Sequence, residues 1–148
     1  MLIGIPKILS PELLKVLMEM GHGDEIVLAD GNFPAASITQ ATSTKILVRA
    51  DGHGVPELLD AILKFFPLDQ YVANPVALMA IVPGDNVKPV IWDTYRDIVK
   101  KHDPKFKGFE NVERFAFYER AKKAYAIVAT GEAALYANVI LKKGVVKE

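Results

Sequence analysis

The sequence predicts an α/β fold in one domain, with a mixed sheet covered by helices on both faces. Three observations predict it. Through the first part of the chain, short apolar runs alternate with stretches whose apolar residues recur at helical spacing. The end carries two apolar runs separated by turn residues, which reads as an antiparallel hairpin. At 148 residues and 51% hydrophobic composition, the chain can close one full core.

The elements follow in order. Ser10-Pro11-Glu12 opens a helix with a hydroxyl cap, a proline in the first turn and an early acid. Leu13, Leu14, Leu17 and Met20 give it an apolar face, and Gly21 is placed to end it. Glu25 to Ala29 reads as a buried strand. Asp30-Gly31-Asn32-Phe33-Pro34 reads as a turn, with the proline barring further helix there. Thr44 to Ala50 is a second strand, Pro56 to Phe66 a second helix and Pro75 to Val82 a third strand. Trp92 to Lys101 is a third helix, His102 to Gly108 a loop and Glu113 to Lys123 a fourth helix. Tyr125 to Thr130 and Leu135 to Lys142 make the hairpin, with Gly131-Glu132 in its turn.

Composition excludes several functions. Eighteen basic and eighteen acidic side chains cancel, and no Lys/Arg run stands out, which argues against nucleic-acid binding. There is no cysteine, hence no thiol nucleophile and no Cys-ligated zinc. The histidines lack metal-ligand spacing, and no phosphate-binding glycine motif is present, so neither a metal nor a cofactor is expected. The N-terminus has no signal-peptide pattern, and no apolar run approaches the ~20 residues that span a bilayer. The expectation is a cytoplasmic protein without a membrane partner. The high apolar content points to surface that closes against other subunits.

Polar groups stand out at a few places. His22 lies between Gly21 and Gly23, an arrangement that adds no packing and leaves an imidazole open for proton transfer. Asp30 follows the first strand as a ligand-facing carboxylate. Five strand residues between them span roughly 16 Å. The two can share a pocket only if the glycine loop folds back or if two chains build the site. Tyr136 and Asn138 are two apart in an apolar run, so period two puts them on one strand face. The Asn138 amide either bonds a neighbouring loop or faces a polyhydroxyl ligand. Arg114 and Tyr118, four apart, share a helix face. His53 reads as a turn residue and His102 as solvated.

Several of these motifs recur in a fixed order. Gly21-His22-Gly23-Asp24, Asp30-x-x-Phe33-Pro34, Arg49-Ala50-Asp51-Gly52, Arg114-Phe115-Ala116-Phe117-Tyr118-Glu119-Arg120-Ala121, Thr130-Gly131-Glu132 and Tyr136-Ala137-Asn138 together resemble the L-fucose mutarotase family, related to the D-ribose pyranases. Thr94 to Gly108 is the least family-like stretch. The resemblance implies a three-layer α/β/α subunit in a ring-like homo-oligomer, often a decamer, with sites completed across subunits. It implies a proton-donor role for His22 and monosaccharide contacts from Asp30, Arg114 and the Tyr136-to-Asn138 segment. Tyr118 is a further candidate contact, and Tyr136 a second catalytic group. The activity implied is interconversion of the α and β anomers of L-fucose or a close relative. The alternatives are a ribose pyranase-type ring interconversion and a non-catalytic sugar-binding module linked to transport.

Overall fold

The Ser10 hydroxyl accepts the Leu13 amide at 3.1 Å and Pro11 lies in the first turn, so the first helix, α1, starts where its cap dictates and runs Pro11–Glu19. The computed structural model describes all 148 residues. The remaining elements are β1 (Glu25–Ala29), α2 (Ala35–Ala41), β2 (Leu47–Ala50), α3 (Val55–Leu63), β3 (Val76–Met79), α4 (Ile91–His102), β4 (Glu110–Val112), α5 (Arg114–Ala121), β5 (Ala126–Thr130) and β6 (Val139–Lys142).

The six strands form one mixed sheet in the order β2-β5-β1-β6-β3-β4. β1, β2 and β5 run parallel, as do β3 and β4; β6 alone runs antiparallel to both of its neighbours. Alternation along β1 assigns the two faces. Ile26 and Leu28 join the core beneath α1, α3 and α4, while Val27 and Ala29 join the core beneath α2 and α5. The result is the expected three-layer α/β/α arrangement with a mixed central sheet.

Four local expectations are corrected. There is no terminal hairpin: β1 lies between β5 and β6 and pairs with both. The turn residues between those runs allowed a hairpin, but the buried β1 offers each strand a full ladder. Pro34 does not bar a helix; it stands at the N-cap of α2, where a missing N–H costs nothing. The three-residue edge strand β4 was too short to show periodicity. Much of Thr94 to Gly108 is the end of α4, anchored by the fully buried Tyr95 and Val99.

The topology creates two chemically distinct edges. The parallel strands β1, β3 and β4 end on the same side, where β6 begins. From there the chain leaves β1 toward α2 on one face and β3 toward α4 on the other. In open α/β sheets this divergence leaves a crevice outside the strand carboxyl ends, and ligands bind there.

Candidate active site

A cavity of about 230 Å³ occupies that crevice. Asp30 enters it from the end of β1, Met79 and Val82 from β3 and its exit loop, Arg114 and Tyr118 from α5, and Tyr136 and Asn138 from the approach to β6. Phe33, Met79 and Leu135 add apolar wall.

Asp30 and Asn138 hold each other. The Asp30 amide donates to Asn138 Oδ1 at 2.8 Å, and Asp30 Oδ2 accepts the Ala137 amide at 3.2 Å. Asp30 Oδ1 accepts the Asn32 amide at 3.0 Å. Both residues are buried. Burial is the largest influence on the Asp30 carboxyl and raises it above its ordinary value, against the Asn32, Ala137 and Phe33 amides. No buried side-chain polar atom lacks a partner, yet Asn138 Nδ2 donates to nothing in the chain; it therefore faces the cavity. Both readings of the Asn138 amide hold at once, its oxygen on a loop and its nitrogen free.

Tyr136 and Asn138 do not share a strand face. Tyr136 lies before β6 with φ at +56°, a left-handed conformation costing roughly 1–2 kcal/mol in an L-residue. A turn rather than a pleat brings both into the cavity. The Tyr136 hydroxyl donates to Asp85 Oδ2 at 2.6 Å and accepts the Val82 amide at 3.2 Å. The bond to Asp85 raises the Tyr136 phenol. On α5 the shared face is as the spacing predicts: Arg114 Nε donates to the Tyr118 hydroxyl at 3.3 Å. The Tyr118 hydrogen has no acceptor in the chain and is available to a ligand. Phe33 packs edge-on against Tyr118, with ring centroids 5.6 Å apart.

His22 is not in this cavity. The glycine loop does not fold back. β1 runs straight through the sheet, and His22 precedes it at the opposite edge. There its imidazole is 45% exposed, and Nε2 lies 3.0 Å from Oδ1 of Asp69, which is 4% exposed. Tyr71 flanks the ring at 5.3 Å between centroids. Burial pushes the Asp69 carboxyl up, but the Tyr71 amide and His22 outweigh it and leave it below its ordinary value. Asp69 was missed in the sequence because one aspartate after Pro67-Leu68 carries no signal of burial. Asp85, in Pro83-Gly84-Asp85-Asn86, read only as turn chemistry. His53 is an exposed turn residue beside Glu57 at 3.1 Å. His102 is not solvated: it is 14% exposed and lies 2.7 Å from Asp60 Oδ1.

The chain matches the RbsD / FucU transport protein family over residues 3–146. It belongs to that family. The mouse fucose mutarotase is 57% identical over 95% of this chain and 92% of its own length. The crystal structure of FucU from Bifidobacterium longum is 59% identical, with a TM-score of 0.93, over 97% of this chain and 99% of that one. The fucose mutarotase of Streptococcus pneumoniae, solved in complex with L-fucose, is 56% identical with a TM-score of 0.88, over 99% and 100% of the two chains. Membership of the RbsD / FucU family agrees with the crevice geometry and with the motif order. No helix is long and apolar enough to cross a membrane.

Proposed function

We propose that this protein is a mutarotase that interconverts the α and β anomers of L-fucose. One observation carries the reading. Asp30, Arg114, Tyr118, Tyr136 and Asn138 converge on one cavity, in a chain 56% identical to a fucose mutarotase solved with L-fucose. Hydrogen-bonding groups opposite an apolar wall suit a sugar that carries both hydroxyls and a methyl group.

The reaction needs only proton transfers. A base takes the O1 proton, the O1–H electron pair forms the C1 carbonyl, and the C1–O5 pair leaves to O5, which an acid protonates. Rotation about C1–C2 and closure on the other face reverse these steps. His22 is the acid, held by Asp69. Asp30 and Asn138 orient hydroxyls, and Arg114 and Tyr118 bind the far side of the ring. Tyr136 is the second proton-transfer group.

His22 reaches the sugar from a second copy of the chain. A homo-oligomer that sets the amino edge of one sheet against the crevice of another completes the site. Support comes from the exposed apolar side chains Met1, Leu2, Ile3, Met18, Phe115 and Leu135, which a partner would cover. A closed ring, a decamer among its forms, satisfies this arrangement. A cytoplasmic location suits an enzyme acting on a free monosaccharide.

Saturation-transfer NMR on equilibrated L-fucose tests the activity. Exchange between anomer signals should rise with protein concentration. Binding without faster exchange would leave a non-catalytic sugar-binding module. Acceleration for D-ribose alone would leave a pyranase.

A further inference from the structure

Tyr136 is held at more points than its place in the cavity wall requires. Its backbone is left-handed, and its carbonyl accepts the Trp92 indole N–H at 2.8 Å. The next carbonyl, of Ala137, accepts the Tyr95 hydroxyl at 2.8 Å. Burial pushes the Tyr95 phenol up, so it stays a donor. The side chain is fixed from the same stretch of chain, by Val82 N–H and Asp85. Everything that grips Tyr136 thus comes from the β3–α4 loop and the first turns of α4. A strained residue persists where its surroundings over-determine it, and such residues gather at functional sites.

A phenol oxygen carries one hydrogen and two lone pairs. In Tyr136 the hydrogen goes to Asp85 and one lone pair takes the Val82 amide. One lone pair is left for the cavity. Toward a sugar, Tyr136 is therefore an acceptor, with an ionisable carboxylate behind it.

We propose that Asp85 and Trp92 are positioning residues that hold Tyr136 as a proton acceptor with an outlet. The inference deepens the mutarotase reading and rests on it. As ring opening begins, the O1–H bond breaks and a new Tyr136 O–H bond forms. The original Tyr136 O–H breaks as its proton moves to Asp85 Oδ2. The O1–H pair becomes part of the C1 carbonyl, and O5 takes a proton from the acid. Asp85 ends as a carboxylic acid and the acid ends deprotonated; ring closure returns both protons.

The test is a pair of double-mutant cycles read by anomer exchange against L-fucose concentration. Asp85→Ala, on an exposed loop, should lower kcat at least about tenfold and leave KM within about threefold, the size of a lost charged hydrogen bond acting in the reaction step. Trp92→Phe removes the indole donor and should lower kcat/KM about three- to tenfold. In a Tyr136→Phe background each should change kcat/KM by less than about twofold, because the hydroxyl through which they act is gone. If Trp92→Phe fails to fold, the Asp85 cycle alone decides. The proposal is overturned if the substitutions act as strongly with Tyr136→Phe as without it, or if the Asp85→Ala loss lies in KM alone. Wild-type protein that leaves exchange at the buffer rate would instead sink the mutarotase reading itself.

Discussion

At the carboxyl end of β1, Asp30 lies buried among two phenols, a guanidinium and an amide. At the amino end, His22 stands largely in solvent over Asp69. The first region has walls and hydrogen-bonding groups but no imidazole. The second has an imidazole with a fixed partner and no wall. Their carboxylates also differ in sign. Burial dominates at Asp30 and raises it; at Asp69 the Tyr71 amide and His22 prevail over burial and lower it. The difference teaches that neither edge alone has what ring opening asks for, an enclosed sugar and a free acid. The proposed two-chain site joins the edges without changing the fold of either chain.

The sharpest way to break this comparison is at its two ends. His22→Ala and Asp30→Ala should each slow catalysed anomer exchange by roughly 10²- to 10⁴-fold, the range for a lost proton-transfer or orienting group. Mixing the two variants after dissociation should restore a substantial fraction of wild-type exchange, because an intact His22 then meets an intact Asp30 across an interface. No recovery on mixing, with oligomers reformed, would remove the shared site.

Asp69 sharpens the amino-end half. Asp69→Asn weakens the bond that orients the His22 ring. It should lower kcat about 10- to 100-fold with little change in KM. A loss found in KM instead would move Asp69 from the acid to the sugar.

The opposite pKa directions give opposite stability slopes. The Asp69 carboxyl is lowered, so its contribution is present above its ordinary value of 3.8 and is lost as pH falls through its folded value. The Asp30 carboxyl is raised, so its contribution is present below 3.8 and is lost as pH rises through its folded value. Urea-unfolding midpoints from about pH 3 to 7 should respond accordingly. Asp30→Ala should improve the neutral end relative to the acid end, and Asp69→Asn the reverse. Slopes that move together would contradict the electrostatic contrast.

The smallest effect separates the two glycines flanking His22. Gly23 has φ +86°, so Gly23→Ala should cost about 1 kcal/mol in unfolding free energy. A Cβ at Gly21 would meet only Asp24 Oδ2, at an ordinary 3.6 Å, so Gly21→Ala should be near neutral.

Much of the site was legible in the residues. Asn138, an amide in an apolar run, announced itself by its chemistry, and Arg114 with Tyr118 by a spacing of four that the helix preserves. The period-two argument for Tyr136 reached the right cavity by the wrong geometry, because no local pattern marks a tyrosine at positive φ. Asp69, Asp85 and Trp92 stayed hidden: each matters through a partner 44 to 51 positions away.

By itself the sequence determined the helices and most strands, the alternation that covers both faces of the sheet, the motif order and the identity of the polar groups. These follow from preferences and periodicities among near neighbours in the chain, which survive in any fold that contains them. Only the tertiary structure decided that β1 separates β5 from β6, that Asp30 and Asn138 grip each other, and that His22 lies across the sheet from both. Strand order is set by burying apolar faces between residues some hundred positions apart, and no local pattern records which distant strand supplies the ladder.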